Sequence, residues 1–209
     1  MKAISIPETD LSFYQMSNNH QITSDTAFLS ETIIKNYAEQ NALKVLDIGT
    51  GMGIIAYMLK LNFPNWQIEG IDIQESLISL AKQNLQEFCL SYQSKGLRFL
   101  QKDLRKYERF DYDLIVSNPP YYKEGQARLP EDYGKAIARH EITLKMDDIL
   151  QFFAQQEKQS ARLLILYPAF RDKELQKRTK QYKLAILNQM TVPDSKANNQ
   201  TFLYEIEKC

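Results

Sequence analysis

From Lys44 onward the chain alternates two hydrophobic rhythms. Short apolar runs bounded by glycine, proline or polar residues predict buried strands, and longer stretches with apolar positions every three or four residues predict helices. Lys44 to Ile48 is the first such strand, followed by helical spacing from Ile54 to Leu61. Gln67 to Ile73 is the second strand, and Glu75 to Phe88 is a helix with Leu77, Ile78, Leu80, Ala81 and Leu85 on one face. Leu97 to Leu100 and Asp113 to Ser117 are the third and fourth strands; two prolines, which cannot continue a central strand, end the fourth. A helix over Asp147 to Gln159 and a strand over Ala161 to Tyr167 follow. Lys183 to Val192 and Thr201 to Ile206 are the last strands, joined by the polar turn Pro193 to Gln200. Residues 1–43 form an N-terminal segment with a helix over Asp25 to Glu39, for which Thr23, Ser24 or Asp25 supplies a cap. This order predicts an α/β fold of one domain, 1–209. Its core, 44–209, is a mostly parallel sheet with helices on both faces and an antiparallel pair at one edge.

Composition narrows the picture. Of 209 residues, 44% are hydrophobic and 25% charged, the balance of an ordinary globular domain. The 26 basic and 26 acidic residues cancel, so any nucleic-acid surface is a local patch and not a bulk attraction. No apolar run approaches the ~18 residues of a membrane span, and Met1 to Glu8 lacks the apolar core of a signal peptide. Cys89 and Cys209 are too few for a disulfide framework or a zinc site and read as free thiols of a cytoplasmic protein. With only His20 and His140 besides, no metal is expected.

The first strand runs into Asp47-Ile48-Gly49-Thr50-Gly51-Met52-Gly53. A dinucleotide fingerprint requires glycine where Ile54 stands. The spacing Asp-x-Gly-x-Gly-x-Gly instead resembles the first motif of the S-adenosylmethionine methyltransferases, whose cofactor has no pyrophosphate but carries an amino-acid moiety that a nearby acid can hold. A tight strand-to-helix turn is the plainer use of such glycines. The second strand ends in Gly70-Ile71-Asp72-Ile73, and a carboxylate there can accept hydrogen bonds from both ribose hydroxyls of an adenosine. Asp72 takes that role over Glu69, which lies three residues further down the strand. Asp103 follows the third strand in Gln101-Lys102-Asp103-Leu104, where methyltransferases of this class often have an acid touching the adenine; a turn or cap aspartate is the alternative. The expected cofactor contacts are Asp47, Gly49, Thr50, Gly51, Gly53, Asp72, Ile73, Asp103, Leu104 and Asn118.

The fourth strand ends in Ser117-Asn118-Pro119-Pro120-Tyr121. Two prolines stiffen the backbone and leave carbonyls without a local amide partner. The Asn118 side-chain oxygen and the Pro119 carbonyl can then accept both hydrogens of an amino group, and Tyr121 can stack on a planar substrate. Asn118, Pro119, Pro120 and Tyr121 are therefore the expected catalytic residues. The sequence matches the Asn-Pro-Pro-Tyr motif of amino-methyltransferases acting on adenine N6, cytosine N4 or glutamine.

The stretch Phe110 to Gly125, and Ala138-Arg139-His140-Glu141 leading into Thr143-Leu144, resemble the bacterial tRNA adenine-N6 methyltransferases that modify the adenine beside the anticodon of a valine tRNA. Phe13-Tyr14-Gln15 and Ser24-Asp25 resemble their N-terminal segment, with serine where that family has threonine. The resemblance implies a Rossmann-like class I fold with a seven-stranded sheet, S-adenosyl-L-methionine as cofactor and RNA as partner. Tyr121, Tyr122, Lys123, Arg128, Lys135, Arg139 and His140, in and after the catalytic motif, are the expected substrate contacts. Lys173, Lys177, Arg178, Lys180 and Lys183 form a second basic run. The alternatives are adenine methylation on rRNA or DNA, glutamine methylation of a protein, and a non-catalytic cofactor-binding scaffold. Release-factor glutamine methyltransferases carry an N-terminal helical domain longer than the 43 residues here. DNA enzymes carry a target-recognition domain, guanine-N2 enzymes have Phe at the place of Tyr121, and a scaffold has no need of an intact tetrad.

Overall fold

The structure, a computed structural model, describes residues 2–5, 12–15, 24–91, 95–122, 143–193 and 200–209. β1 (Lys2–Ser5) and β2 (Ser12–Gln15) pair antiparallel by themselves. The main sheet contains β3 (Lys44–Ile48), β4 (Gln67–Asp72), β5 (Leu97–Gln101), β6 (Leu114–Ser117), β7 (Arg162–Pro168), β8 (Leu184–Thr191) and β9 (Thr201–Lys208). Its order is β5-β4-β3-β6-β7-β9-β8. The pairs from β5 through β7 are parallel; β9 runs antiparallel to both β7 and β8. The link from β8 to β9 spans only residues 192–200, too short for the crossover that a parallel pairing needs. The expected antiparallel pair therefore forms, with β9 inserted beside β7 and β8 outermost.

Helices α1 (Ser24–Asn36), α2 (Ile54–Asn62) and α3 (Glu75–Ser91) cover one face, and α4 (Met146–Ala154) and α5 (Asp172–Gln181) the other. The strands alternate between two apolar layers. Val45, Leu114, Val116, Leu164 and Leu166 pack with Leu29 and Ile33 of α1, Ala56 of α2 and Ala81 of α3. Leu46, Ile115, Leu163, Ile165 and Tyr167 face the opposite way, onto Ile149 and Phe153 of α4 and Leu175 of α5. Strands buried on both sides explain the unbroken apolar runs of the sequence.

Several elements differ from the sequence expectation. β1 and β2 form in the N-terminal segment, where only a helix was expected, and that helix ends at Asn36 and not at Glu39. The helix predicted over 147–159 ends at Ala154, because Gln156 turns back: its amide group donates to Phe152 O (3.2 Å), and its side-chain oxygen accepts from Tyr112 N (3.2 Å). Conversely, α5 forms where only a basic run was evident. It buries just Leu175 and Thr179, too sparse an apolar pattern to read as a helix.

The chain reverses its winding at β3, which has β4 on one side and β6 on the other. Open α/β sheets bind ligands in the crevice beyond the strand ends at such a point. The glycine turn and the Asn-Pro-Pro-Tyr motif both lie there.

Candidate active site

The glycine turn is pinned to the end of β4. The amides of Gly49 and Thr50 both donate to Ile71 O, at 2.9 and 3.0 Å. At Gly53, φ is +89° and a Cβ would stand 2.6 Å from the Phe99 ring, so both conformation and space demand glycine. Gly70 makes room differently: a Cβ there would meet Thr50 Oγ1 at 2.6 Å. The space it leaves lets the Thr50 hydroxyl sit against the strand and donate to Asp47 Oδ2 at 2.6 Å. A Cβ on Gly51, by contrast, would meet nothing within 4 Å. Backbone at Gly51 is thus open to the close approach of a ligand.

Two carboxyls flank this turn. Asp47 is fully buried; its Oδ1 has no hydrogen-bond partner among the described residues. Burial pushes its pKa up to about 7, the Thr50 hydroxyl opposing and the nearby Asp72 carboxyl adding to the rise. Asp72, at the end of β4, is 9% exposed. Its Oδ2 accepts from Gly51 N (3.0 Å) and its Oδ1 from Gln74 N (2.9 Å). Burial raises its pKa as well, against the pull of these amides. A buried acid with an orphaned oxygen suits an ammonium group, and an acid at the mouth of the crevice suits hydroxyls. These are the polar groups of S-adenosylmethionine, so the residues present fit that cofactor.

Glu69 lies elsewhere. It is 3% exposed and forms a network with the hydroxyls of Tyr107 and Tyr112 and the guanidinium groups of Arg98 and Arg109. Asp103 caps the short turn Leu104–Lys106 through Arg105 N (3.0 Å) and ion-pairs with the Arg105 side chain (2.6 Å). These bonds hold its pKa below the ordinary value. Leu104 is buried in the apolar layer shared with α4, and Ile73, half-buried, directly follows Asp72.

The Asn-Pro-Pro-Tyr motif is tied down at both ends. Ser117 Oγ donates to Ile48 O at 2.8 Å, joining the end of β6 to the glycine turn of β3. Asn118 Nδ2 donates to Thr26 Oγ1 of α1 at 3.1 Å. The Tyr121 carbonyl accepts from Arg171 Nη1 at 2.8 Å. Arg171 is 2% exposed; it also donates to Glu174 Oε2 (2.9 Å) and lies over the Tyr167 ring. The Tyr121 and Tyr122 rings pack against each other with centroids 4.9 Å apart.

Hydrogen bonds thus join the ends of β3, β4 and β6, bringing together Asp47, Gly49, Thr50, Gly51 and Asp72, with Ser117 bonded to Ile48 and Asn118, Pro119, Pro120 and Tyr121 following it in the chain. Lys123, Arg128, Lys135, Arg139 and His140 lie outside the described residues. Thr26 and Arg171 were missed in the sequence. Thr26 is one residue past the Ser24-Asp25 pair, and Arg171 precedes a helix with almost no apolar signal.

No helix among the described residues is long and apolar enough to cross a membrane, and none of them group into a metal-holding cluster. Residues 18–186 match the family described as "Methyltransferase small domain". A tRNA1(Val) (adenine(37)-N6)-methyltransferase of Bacteroides thetaiotaomicron is 30% identical over 177 residues, 81% of this chain and 73% of that protein. A release factor glutamine methyltransferase of Shewanella oneidensis is 41% identical over 106 residues, 50% of this chain and 35% of that protein. The chain spans 45–62% of the length of four further curated tRNA1(Val) relatives that it matches. Among solved structures, the magnesium protoporphyrin IX methyltransferase of Synechocystis, solved with bound S-adenosylmethionine, superposes with a TM-score of 0.62 at 16% identity, covering 92% of this chain and 87% of that one. The fold is therefore the class I methyltransferase fold, and the chain belongs to the Methyltransferase small domain family.

Proposed function

We infer that the chain is an S-adenosylmethionine-dependent methyltransferase acting on the exocyclic N6 of an adenine in RNA, with the adenine beside the anticodon of a valine tRNA as its target. The observation that carries this reading is the position of Asn118 to Tyr121: at the carboxyl end of β6, bonded to the glycine turn through Ser117 and Ile48. Similarity to tRNA1(Val) (adenine(37)-N6)-methyltransferases supports that target. We assign the protein to the cytoplasm on the strength of that substrate.

When bound, S-adenosylmethionine supplies an electrophilic methyl group. The chain's residues hold and orient the reactants. Asp47, ionised, would hold the ammonium of the methionine moiety, and Asp72 would hold the ribose hydroxyls. The Gly49, Thr50, Gly51 and Gly53 turn would let backbone close on the ligand, and Ile73, Asp103 and Leu104 are assigned to the adenine. The Thr26 hydroxyl accepts from Asn118 Nδ2, which leaves Oδ1 as the acceptor for one amine hydrogen. The Pro119 carbonyl accepts the other. An exocyclic amine is a poor nucleophile because its lone pair is delocalised into the ring. Two acceptors favour the pyramidal form and stabilise the positive charge that develops as the N–C bond forms and the C–S bond breaks. The extra proton then leaves the nitrogen for solvent. Tyr121 stacks on the base. Lys123, Arg128, Lys135, Arg139 and His140, with Tyr122, are assigned to the RNA.

Labelled S-adenosylmethionine offered with unmodified tRNA and, separately, with a release factor tests the reading. Label in tRNA as N6-methyladenosine supports it; label on a release-factor glutamine transfers the assignment to the amide class that the Shewanella relative's name represents.

A further inference from the structure

We propose that the turn after β7 and the exposed face of α5 form a track for single-stranded RNA, in which Phe170 stacks an unpaired base next to the target adenine and Lys173, Lys177 and Lys180 hold the following phosphates. The track rests on the RNA reading above and extends it to residues that neither motif contains.

The first part of the track is aromatic. Tyr122 packs on Tyr121 and also lies 5.8 Å from Phe170, with the ring planes 21° apart. Tyr121, Tyr122 and Phe170 thus form a continuous row leading outward from the catalytic motif. Phe170 is 54% exposed, one of only two large apolar side chains this open among the described residues. An exposed phenyl ring supported on one side by another aromatic costs stability in water but offers a face to a base. Arg171, next in the chain, is bonded to the Tyr121 carbonyl, so the turn carrying Phe170 is fixed to the catalytic loop.

The second part is basic. Lys173, Lys177 and Lys180 stand at i, i+4 and i+7 of α5, hence on one face, and all three are exposed. With Gln176 and Gln181 they line a shallow open depression. The acids of the helix have other partners than the three lysines: Asp172 accepts from Tyr204 and from Gln176 of the depression, and Glu174 pairs with Arg171. Arg178 pairs with Asp147 and Lys183 lies beyond the end of α5, so the helix contributes the three lysines as the stripe, and none of them joins an ion pair among the described residues. The stripe extends roughly 10 Å from Lys173 to Lys180, leading away from Phe170. Base stacking and backbone charge are the two components of sequence-tolerant single-strand binding.

The test uses the full chain and a fluorescent twelve-nucleotide adenine-rich RNA, followed by anisotropy at several salt concentrations, alongside methylation of unmodified tRNA. Phe170→Ala is expected to weaken oligonucleotide binding by roughly five- to a hundred-fold, and Phe170→Trp to retain it. Replacing Lys173, Lys177 and Lys180 together by Gln is expected to flatten the slope of log K against log salt by about 2. Cofactor affinity should be unchanged in all three variants. The proposal is overturned if the wild-type chain does not bind the oligonucleotide, or if the variants keep wild-type affinity and salt slope. Variants that lose binding while the wild-type chain methylates no RNA would leave the track standing and remove only the assigned target.

Discussion

Thr26 and Asn118, 92 residues apart in the chain, meet across the mouth of the crevice in a hydrogen bond of 3.1 Å from Asn118 Nδ2 to Thr26 Oγ1. In the proposed mechanism the bond would set which end of the Asn118 amide meets the substrate, and it comes from the N-terminal helix, not from the core that carries the motifs. Thr26→Val should therefore slow methyl transfer by about tenfold or more, a cost on the order of one hydrogen bond, with cofactor affinity and stability near wild type. Thr26→Ser should restore the rate. Single-turnover kinetics read the effect directly; a Val variant as fast as wild type would remove α1 from the site.

Arg171 should act at the other end of the tetrapeptide. Its guanidinium serves Glu174 and the Tyr121 carbonyl at once, a forked geometry that a single ammonium does not reproduce. Arg171→Leu should cost on the order of 1.5–3 kcal/mol of stability. Arg171→Lys should keep the fold yet lower kcat with little change in cofactor affinity. Steady-state kinetics on folded Arg171→Lys with wild-type kcat would restrict the residue to a packing role.

The raised pKa of Asp47 gives stability a defined pH dependence. Between its ordinary value of 3.8 and about 7, the folded state holds a proton that the unfolded state has released. That contribution is complete below pH 3.8 and is lost as pH rises through 7, by up to about 1.4 kcal/mol per pH unit. Asp72, also raised, acts in the same direction. Urea midpoints at pH 5 and pH 7.5 should fall less in Asp47→Asn than in wild type; equal falls would mean that Asp47 is ionised throughout. Binding an ammonium requires the ionised acid, so calorimetry at pH 6 should also detect proton release when S-adenosylmethionine binds to wild type.

Asp72→Ala should weaken S-adenosylmethionine binding by at least about tenfold, the value of charge-assisted hydrogen bonds to ribose, with the fold intact. Isothermal titration decides this. Unchanged affinity would refute the assignment, and Glu69 offers no substitute, since its carboxylate is held in the Tyr107, Tyr112 and Arg98 network.

Much of this was legible in the chain because the parallel strands are buried on both faces and end in glycine or proline. Lys44–Ile48, Leu97–Gln101 and Leu114–Ser117 match their apolar runs to within a residue. The position of Asp72 at the end of β4 was legible because its distance past Asp47 follows from one βαβ unit. What escaped was tertiary in origin. α5 is held by Leu175 and by Arg171 reaching another loop, so its own sequence carries little periodicity. Thr26 matters only through a contact across 92 residues. Phe170 belongs to no motif in the sequence, and its place beside Tyr122 is a tertiary contact.

The central claim is that Asn118 activates an exocyclic amine, and Asn118→Ala tests it most directly. Its hydrogen bond to the amine strengthens as the nitrogen becomes positive, so its loss falls on the transition state and not on cofactor binding. The measurement is the single-turnover rate of N6-methyladenosine formation in unmodified tRNA, with cofactor affinity determined on the same preparations. The account predicts a rate lower by about 10²–10³ with near-normal cofactor affinity; near-normal turnover by Asn118→Ala would contradict it.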